Sequence, residues 1–178
     1  AQEEMGRSTG YWWSPDSCYV AFTEVTEKHI PEFLITHVGS DLVGTDAIES
    51  HRYPFAGQDN PRVKVGIAEV DSKECVWVES TEDEYIARVD WFPDNSLALQ
   101  TESRDQQHLK VRKFSMEDST LTTVLEENSE TWINLHNMLR PLSSGRFLWA
   151  SERTGFNHIY LFYEGDLLAL TKGEWQVD

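Results

Sequence analysis

One pattern constrains this chain more than any other. An aromatic residue, a Pro-Asp turn, a small polar residue and an alternating apolar run occur together twice. Trp13–Ala21 reads WSPDSCYVA and Trp91–Leu99 reads WFPDNSLAL. A weaker third copy, RPLSSGRFLWA at Arg140–Ala150, keeps the proline and the polar turn but loses the aspartate. Proline presets the backbone for a tight turn, and Asp, Asn or Ser closes it through its side chain. The alternating run beyond the turn predicts a half-buried strand.

The segments downstream of each turn repeat as well. After the second come SLALQTES, HLKVRKFSMED and TLTTVLEEN; after the third come RFLWASERT, NHIYLFYEGD and LLALTKG. Both sets predict antiparallel meanders. The first copy fits the scheme if YVAFTEV and VKVGIAEVDS are parted by a detour of about 35 residues. Pro31, Pro54, Pro61 and several glycines punctuate that detour, as expected of a protruding loop or hairpin. The spacing of about 50 residues between the second and third turns matches the period of propeller blades. No apolar stripe of helical period is sustained, and β-branched and aromatic residues dominate the periodic runs. The expected fold is all-β: about three to four antiparallel four-stranded blades of a β-propeller. The blade-like units fall at about 11–80 (with an inserted loop at 28–62), 86–128 and 139–172, and LTKGEWQVD reads as the approach to another. A closed propeller needs at least four blades, so the chain is expected to be an arc of a larger ring. Its exposed edges would favour self-association.

Composition narrows the partners. With 15 Lys and Arg against 31 Asp and Glu, the formal charge is −16. Such a field repels phosphate backbones and anionic lipid surfaces, which argues against nucleic acid and membrane as partners. No apolar stretch reaches the roughly 18–20 residues that span a bilayer. Cys18 and Cys75 lie in apolar, strand-like runs without metal-ligand spacing and are expected to be buried free thiols. No histidine pair has zinc spacing and no segment matches a calcium loop, so no metal or cofactor is expected. No leader is recognisable at the start, and the sequence carries no address.

Several longer stretches have a family likeness. EEMGRSTGYWWSPD, YPFAGQDNPRVKVGIAEV, YIARVDWFPD, ETWINLH and WASERTGFNHIYLF, in that order, together resemble the N-terminal β-propeller of dipeptidyl peptidase IV-type serine peptidases. The nearer likeness is to the bacterial members and the cytosolic eukaryotic branch. The resemblance implies an eight-bladed ring, of which this chain is the middle. It also implies a C-terminal α/β-hydrolase domain bearing a Ser-Asp-His triad, and release of N-terminal dipeptides with proline or alanine second. A homodimeric parent is implied too, bacterial by preference, with periplasm and cytoplasm both open as compartments. The nucleophile elbow G-x-S-x-G is absent from these residues, and none of the six histidines has such a motif to serve. The chain by itself is therefore expected to hold no catalytic residue.

The resemblance assigns Glu3 and Glu4 to the family's double-glutamate motif, which anchors the amine of a peptide substrate. Two adjacent carboxylates supply charge-assisted acceptors for a compact ammonium, about twice as strong as neutral hydrogen bonds. Such an anchor is also a ruler. Two extended residues span only about 7 Å, so only the second peptide bond reaches the serine. An arginine that in relatives helps hold the substrate carbonyl would lie before Ala1. In the same relatives the segment TWINLH sits near the substrate cavity, which makes Trp132 and His136 candidates to line it. Asp16, Asp90 and Asp94 read as turn-forming acids, and Glu152, Arg153 and Asn157 as hairpin-turn polarity. The seven tryptophans read as packing between blades. A non-catalytic propeller scaffold for protein partners is the alternative. A carbohydrate-active propeller fits less well, because Glu3 and Glu4 are neighbours rather than acids opposed across a sugar.

Overall fold

The computed structural model describes residues 5–39, 41–79 and 84–178. Strands β1 (Tyr11–Trp13), β2 (Tyr19–Thr26), β5 (Arg62–Glu69) and β6 (Cys75–Val78) form one antiparallel sheet in the order β1-β2-β5-β6. Between β2 and β5 the chain leaves this sheet and builds a separate hairpin of β3 (Glu32–Thr36) and β4 (Ile48–Arg52). A second sheet runs β7 (Glu84–Trp91), β8 (Leu97–Ser103), β9 (His108–Phe114) and β10 (Leu121–Asn128). A third runs β11 (Arg140–Pro141), β12 (Phe147–Ser151), β13 (His158–Tyr163) and β14 (Asp166–Ala169). All pairings within these three four-stranded sheets are antiparallel, as expected of propeller blades.

The recurring turn works through its aspartate. Asp16 Oδ1 accepts from Ser14 Oγ at 2.6 Å and from the Cys18 amide at 2.9 Å. Asp94 Oδ1 does the same with Ser96 Oγ at 2.5 Å and the Ser96 amide at 3.1 Å. These closures hold Ser17 and Asn95 in the left-handed region at φ 63° and 60°. The third turn lacks the acid, and there Ser144 at 63° is followed by Gly145 at 71°, a conformation glycine adopts without strain. Asn95 Nδ2 also donates to Asp16 Oδ2 at 2.7 Å, tying the first two turns together.

The sheets stack face to face. Val65 and Ile67 of the first sheet pack on Val89, Leu97, Leu99 and Phe114 of the second. Ala98, Leu109 and Val111, on the opposite face of that second sheet, pack on Phe147, Trp149 and Phe162 of the third. Strand β8 is thus buried on both faces from Leu97 to Glu102, which explains its near-continuous burial. The first strands of the sheets converge. Trp91 Nε1 on β7 donates to the carbonyl of Trp12 on β1 at 3.1 Å, and Arg88 on β7 reaches Asn137, just before β11.

The β3–β4 hairpin projects from this arc. Arg52 ties its base, donating to the Ile30 carbonyl at 2.6 Å and to Glu32 at 2.7 Å. The loop beyond it touches the second sheet through Asn60 Nδ2, which donates to the Tyr85 hydroxyl at 2.7 Å. Its apolar side chains nonetheless face outward, Val38 and Val43 being 93% and 82% exposed.

Two expectations about packing need correction. Cys18 and Cys75 are free thiols but exposed, because Cys18 belongs to the turn ahead of β2 and Cys75 opens the edge strand β6. Trp149 is buried and Trp12 and Trp91 pack partly, yet Trp13, Trp77, Trp132 and Trp175 are exposed. The first two of these lie on strands at the edges of the first sheet, the last two on loops.

Candidate functional site

At one rim, between the second and third sheets, lies a cleft of about 290 Å³ lined by Glu127, Trp132, His136, Trp149, Glu152 and Arg153 among others. The segment linking β10 to β11 forms one wall. It is pinned to the turn between β8 and β9, since Ile133 donates its amide to the Gln106 carbonyl and Ser129 to that of Gln107. Trp132 stands 59% exposed at the mouth, its Nε1 donating to Asn134. Asn134 in turn donates to Glu152 at 2.7 Å, fastening the wall to the hairpin of the third sheet.

Deeper in the cleft, Glu127 accepts from Trp149 Nε1 at 2.9 Å and Arg153 Nη2 at 2.6 Å. Arg153 also lies over the Tyr160 ring at 5.2 Å, so its charge is neutralised and covered. His136 sits edge-on to Trp149 with centroids 4.4 Å apart. Its Nδ1 accepts from the Met138 amide at 3.1 Å, which assigns the ring proton to Nε2, and the Ala150 carbonyl accepts from the ring. Burial holds this imidazole below its ordinary 6.5, so it is uncharged at neutral pH.

On the inner side, where the first strands converge, a second cleft of about 280 Å³ is bounded by Arg7, Trp12, Arg88, Asp90, Asn137 and Arg140. Three guanidinium groups gather here in a chain whose formal charge is −16. Asp90 lies among them, and burial raises its carboxyl to about 6 even though Arg140 and Arg88 pull it down. Asp90 is therefore no turn former: it belongs to β7 and faces the arginines. Arg88 Nη1 donates to the carbonyls of Met5 (2.5 Å) and Ala87 (2.7 Å), and its Nε donates to Asn137 Oδ1 at 2.7 Å.

Trp132 and His136 thus line one cleft. Glu3 and Glu4 lie outside the described residues, but the next residue, Met5, is buried and bonded to Arg88. Arg88 in turn is bonded to the residue after His136, so the start of the chain and the TWINLH segment meet at one guanidinium. Sequence reasoning missed Glu127 and Arg88, and it took Glu152, Arg153 and Asn157 for the polar residues of a hairpin turn when all three line the cleft. A signal existed for Glu127: in LTTVLEEN it shares the alternation of Leu125, an acid in register with a core position. Among the described residues no group of three His, Cys, Asp or Glu is placed to hold a metal ion.

Radially stacked four-stranded sheets with converging first strands define a β-propeller arc, and comparison with known proteins specifies which. The family model of the dipeptidyl peptidase IV (DPP IV) N-terminal region matches residues 1–178, and the chain belongs to that family. It is 29% identical to dipeptidyl peptidase 8 of Mus musculus, with 89% of this chain and 23% of that protein aligned. The crystal structure of Porphyromonas gingivalis dipeptidyl peptidase 4 superposes with a TM-score of 0.88 at 25% identity, over 99% of this chain and 26% of that one. TolB from Acinetobacter baumannii matches at a TM-score of 0.53 and 14% identity over 94% of this chain and 33% of that one, a likeness of fold alone. The chain spans about a quarter of the length of the dipeptidyl peptidases it matches.

Proposed function

We propose that this chain is the part of a serine dipeptidyl aminopeptidase that admits a peptide and grips its N-terminal amine. Glu3 and Glu4 hold the ammonium, Trp132 and His136 border the first residues of the peptide, and an α/β-hydrolase domain of the same parent supplies the serine. The products are X-Pro and X-Ala dipeptides. The observation that supports this most is the meeting at Arg88. Met5, one peptide bond from the glutamate pair, is held at the inner edge of the arc beside the segment carrying His136. The rim cleft suits a cationic ligand end, because its imidazole is neutral and its arginine is already paired. Two carboxylates facing an ammonium in a cavity between the two domains of the parent would be poorly screened, which would strengthen the grip.

The test is to replace Glu3 and Glu4 by Ala in the full-length protein and assay Gly-Pro-p-nitroanilide. A loss of about 100-fold in kcat/KM is expected, since misplacing a substrate by an ångström costs that much. Wild-type turnover in the variant would remove the anchor role, whereas no turnover by the unaltered full-length protein would favour the non-catalytic scaffold. The parent's homodimer would use the β3–β4 hairpin, whose exposed Val38 and Val43 are a surface for a second copy. Replacing both by Glu should shift the sedimenting species to monomer.

A further inference from the structure

We propose that Arg88 is the positioning residue of the amine anchor, clamping the segment that carries Glu3 and Glu4 to the inner edge of the arc. The proposal rests on the anchor reading above and adds the group that sets where the anchor stands. Strand β7 carries a bulge between Ile86 and Arg88, so the extra residue Ala87 breaks the regular ladder. Bulges re-aim a side chain and leave backbone groups without their usual partners. Here the guanidinium turns back to the Ala87 carbonyl and takes the Met5 carbonyl with the same nitrogen, while Nε takes Asn137. One side chain therefore joins segments 83 and 49 residues away in sequence.

The geometry asks for arginine. Only a planar fork with separate Nε and Nη donors serves two directions at fixed angles, whereas an ammonium is a single point of donation. The clamp has a short lever. Glu4 and Glu3 are the two residues directly before Met5 in the sequence, so little chain separates the clamp from the pair it would position. Met5 itself is 3% exposed, so its position is fixed by packing as well as by the bond from Arg88.

The test uses the full-length protein with Arg88→Met, Arg88→Lys and Asn137→Ala, each also in a Glu3→Ala/Glu4→Ala background. Steady-state hydrolysis of Gly-Pro-p-nitroanilide is compared with the rate of labelling by a fluorophosphonate, which needs an activated serine but no amine anchor. Arg88→Met should raise KM about tenfold, leave kcat within about twofold and leave labelling unchanged, since only amine placement suffers. Arg88→Lys should recover little of the loss. In the background lacking both glutamates, Arg88→Met should cost nothing further, because the two sites act as one. Asn137→Ala removes one exposed bond and should raise KM about two- to threefold, which serves if Arg88→Met does not fold. An unchanged KM in these variants, a parallel fall in labelling, or an additive loss in the glutamate-free background would each overturn the proposal. Failure of the anchor reading shows separately, as wild-type KM in Glu3→Ala/Glu4→Ala alone.

Discussion

The interface between the first and second sheets and that between the second and third hold equal apolar payloads, nine buried side chains each among the described residues. They differ in what else they bury. Facing the first sheet, the second sheet adds Arg112 and Thr101, the latter 1% exposed and with its hydroxyl lacking a hydrogen-bond partner among the described residues. Facing the third, it adds Gln100 and Glu102, each 1% exposed and without a hydrogen-bond partner among the described residues. Register fixes that assignment: Gln100 pairs with Val111 and Glu102 with Leu109, both in the core shared with the third sheet. The same interface carries His136, the Glu127–Arg153 pair and the Arg88 clamp. Unpaired buried polar groups cost stability, and the four such atoms of Gln100 and Glu102 face the third sheet, where the rim cleft lies, against the single hydroxyl of Thr101 facing the first. One interface holds the arc together, and the other gives up some stability for polar groups at the candidate site.

The largest effect is expected at the apolar interface. Leu99 is fully buried, and Leu99→Ala should lower unfolding free energy by about 3 kcal/mol through lost transfer and the cavity left behind. The midpoint of urea unfolding followed by tryptophan fluorescence measures it. A loss under about 1 kcal/mol would mean this interface collapses around the gap and is less tightly packed than its burial implies.

At the polar interface a substitution should do the reverse. Burial raises the Glu102 carboxyl from 4.5 to about 7, with Arg88 opposing only in part. The folded protein then binds a proton that the unfolded chain has released, so between about pH 7 and 4.5 acidification stabilises. Glu102→Gln removes the charge that must be buried at alkaline pH. It should stabilise by about 1–2 kcal/mol at pH 8, with the gain vanishing below pH 4.5, where both side chains are neutral. Stability curves of both proteins across that range decide it, and a gain independent of pH would assign the effect to packing instead.

A smaller loss is expected from Arg153→Met. Glu127 then keeps only the indole of Trp149 as donor, in a cleft open enough for water to replace part of the guanidinium. About 1 kcal/mol is expected, below the cost of breaking a fully buried pair. A loss as large as that at Leu99 would show that this pair, too, holds the arc together.

How far all this was legible in the sequence depends on range. The turns were legible, because Asp16 and Asp94 close them with neighbours two residues away and the sequence displays both partners. The all-β class followed from alternation. Trp132 and His136 could be named from TWINLH, but not their cleft, because Glu127 and Arg153 enter it from other strands. Arg88 and Asp90 were hidden for a physical reason. Their partners lie far along the chain at Met5, Asn137 and Arg140, and a bulge, which no alternation pattern announces, sets the aim of Arg88. The exposed cysteines misled for local reasons: the run that Cys75 opens lies on an edge strand yet looks like one in the core, and Cys18 stands in the turn just ahead of the run it seemed to belong to.

The smallest effect tests whether the polar interface responds to acid through its imidazole. Burial depresses the His136 pKa below 6.5, with the Ala150 carbonyl and Glu127 pulling the other way. The unfolded chain therefore takes up a proton first as pH falls, so the stability due to a neutral His136 is complete above 6.5 and is lost below it. Asp90 and Glu102 gain stability over an overlapping range, since both are raised, to about 6 and about 7, and the three contributions partly cancel in the wild type. His136→Phe separates them. Phenylalanine keeps the edge-on contact with Trp149 and loses the acceptor for the Met138 amide, a cost that does not change with pH. The difference between variant and wild type should be flat above pH 6.5 and then move in favour of the variant by under about 1 kcal/mol as pH drops toward 5. A difference that stays flat to pH 5 would mean that His136 protonates in place as readily as in the unfolded chain. The acid response of this interface would then belong to its two carboxyls alone.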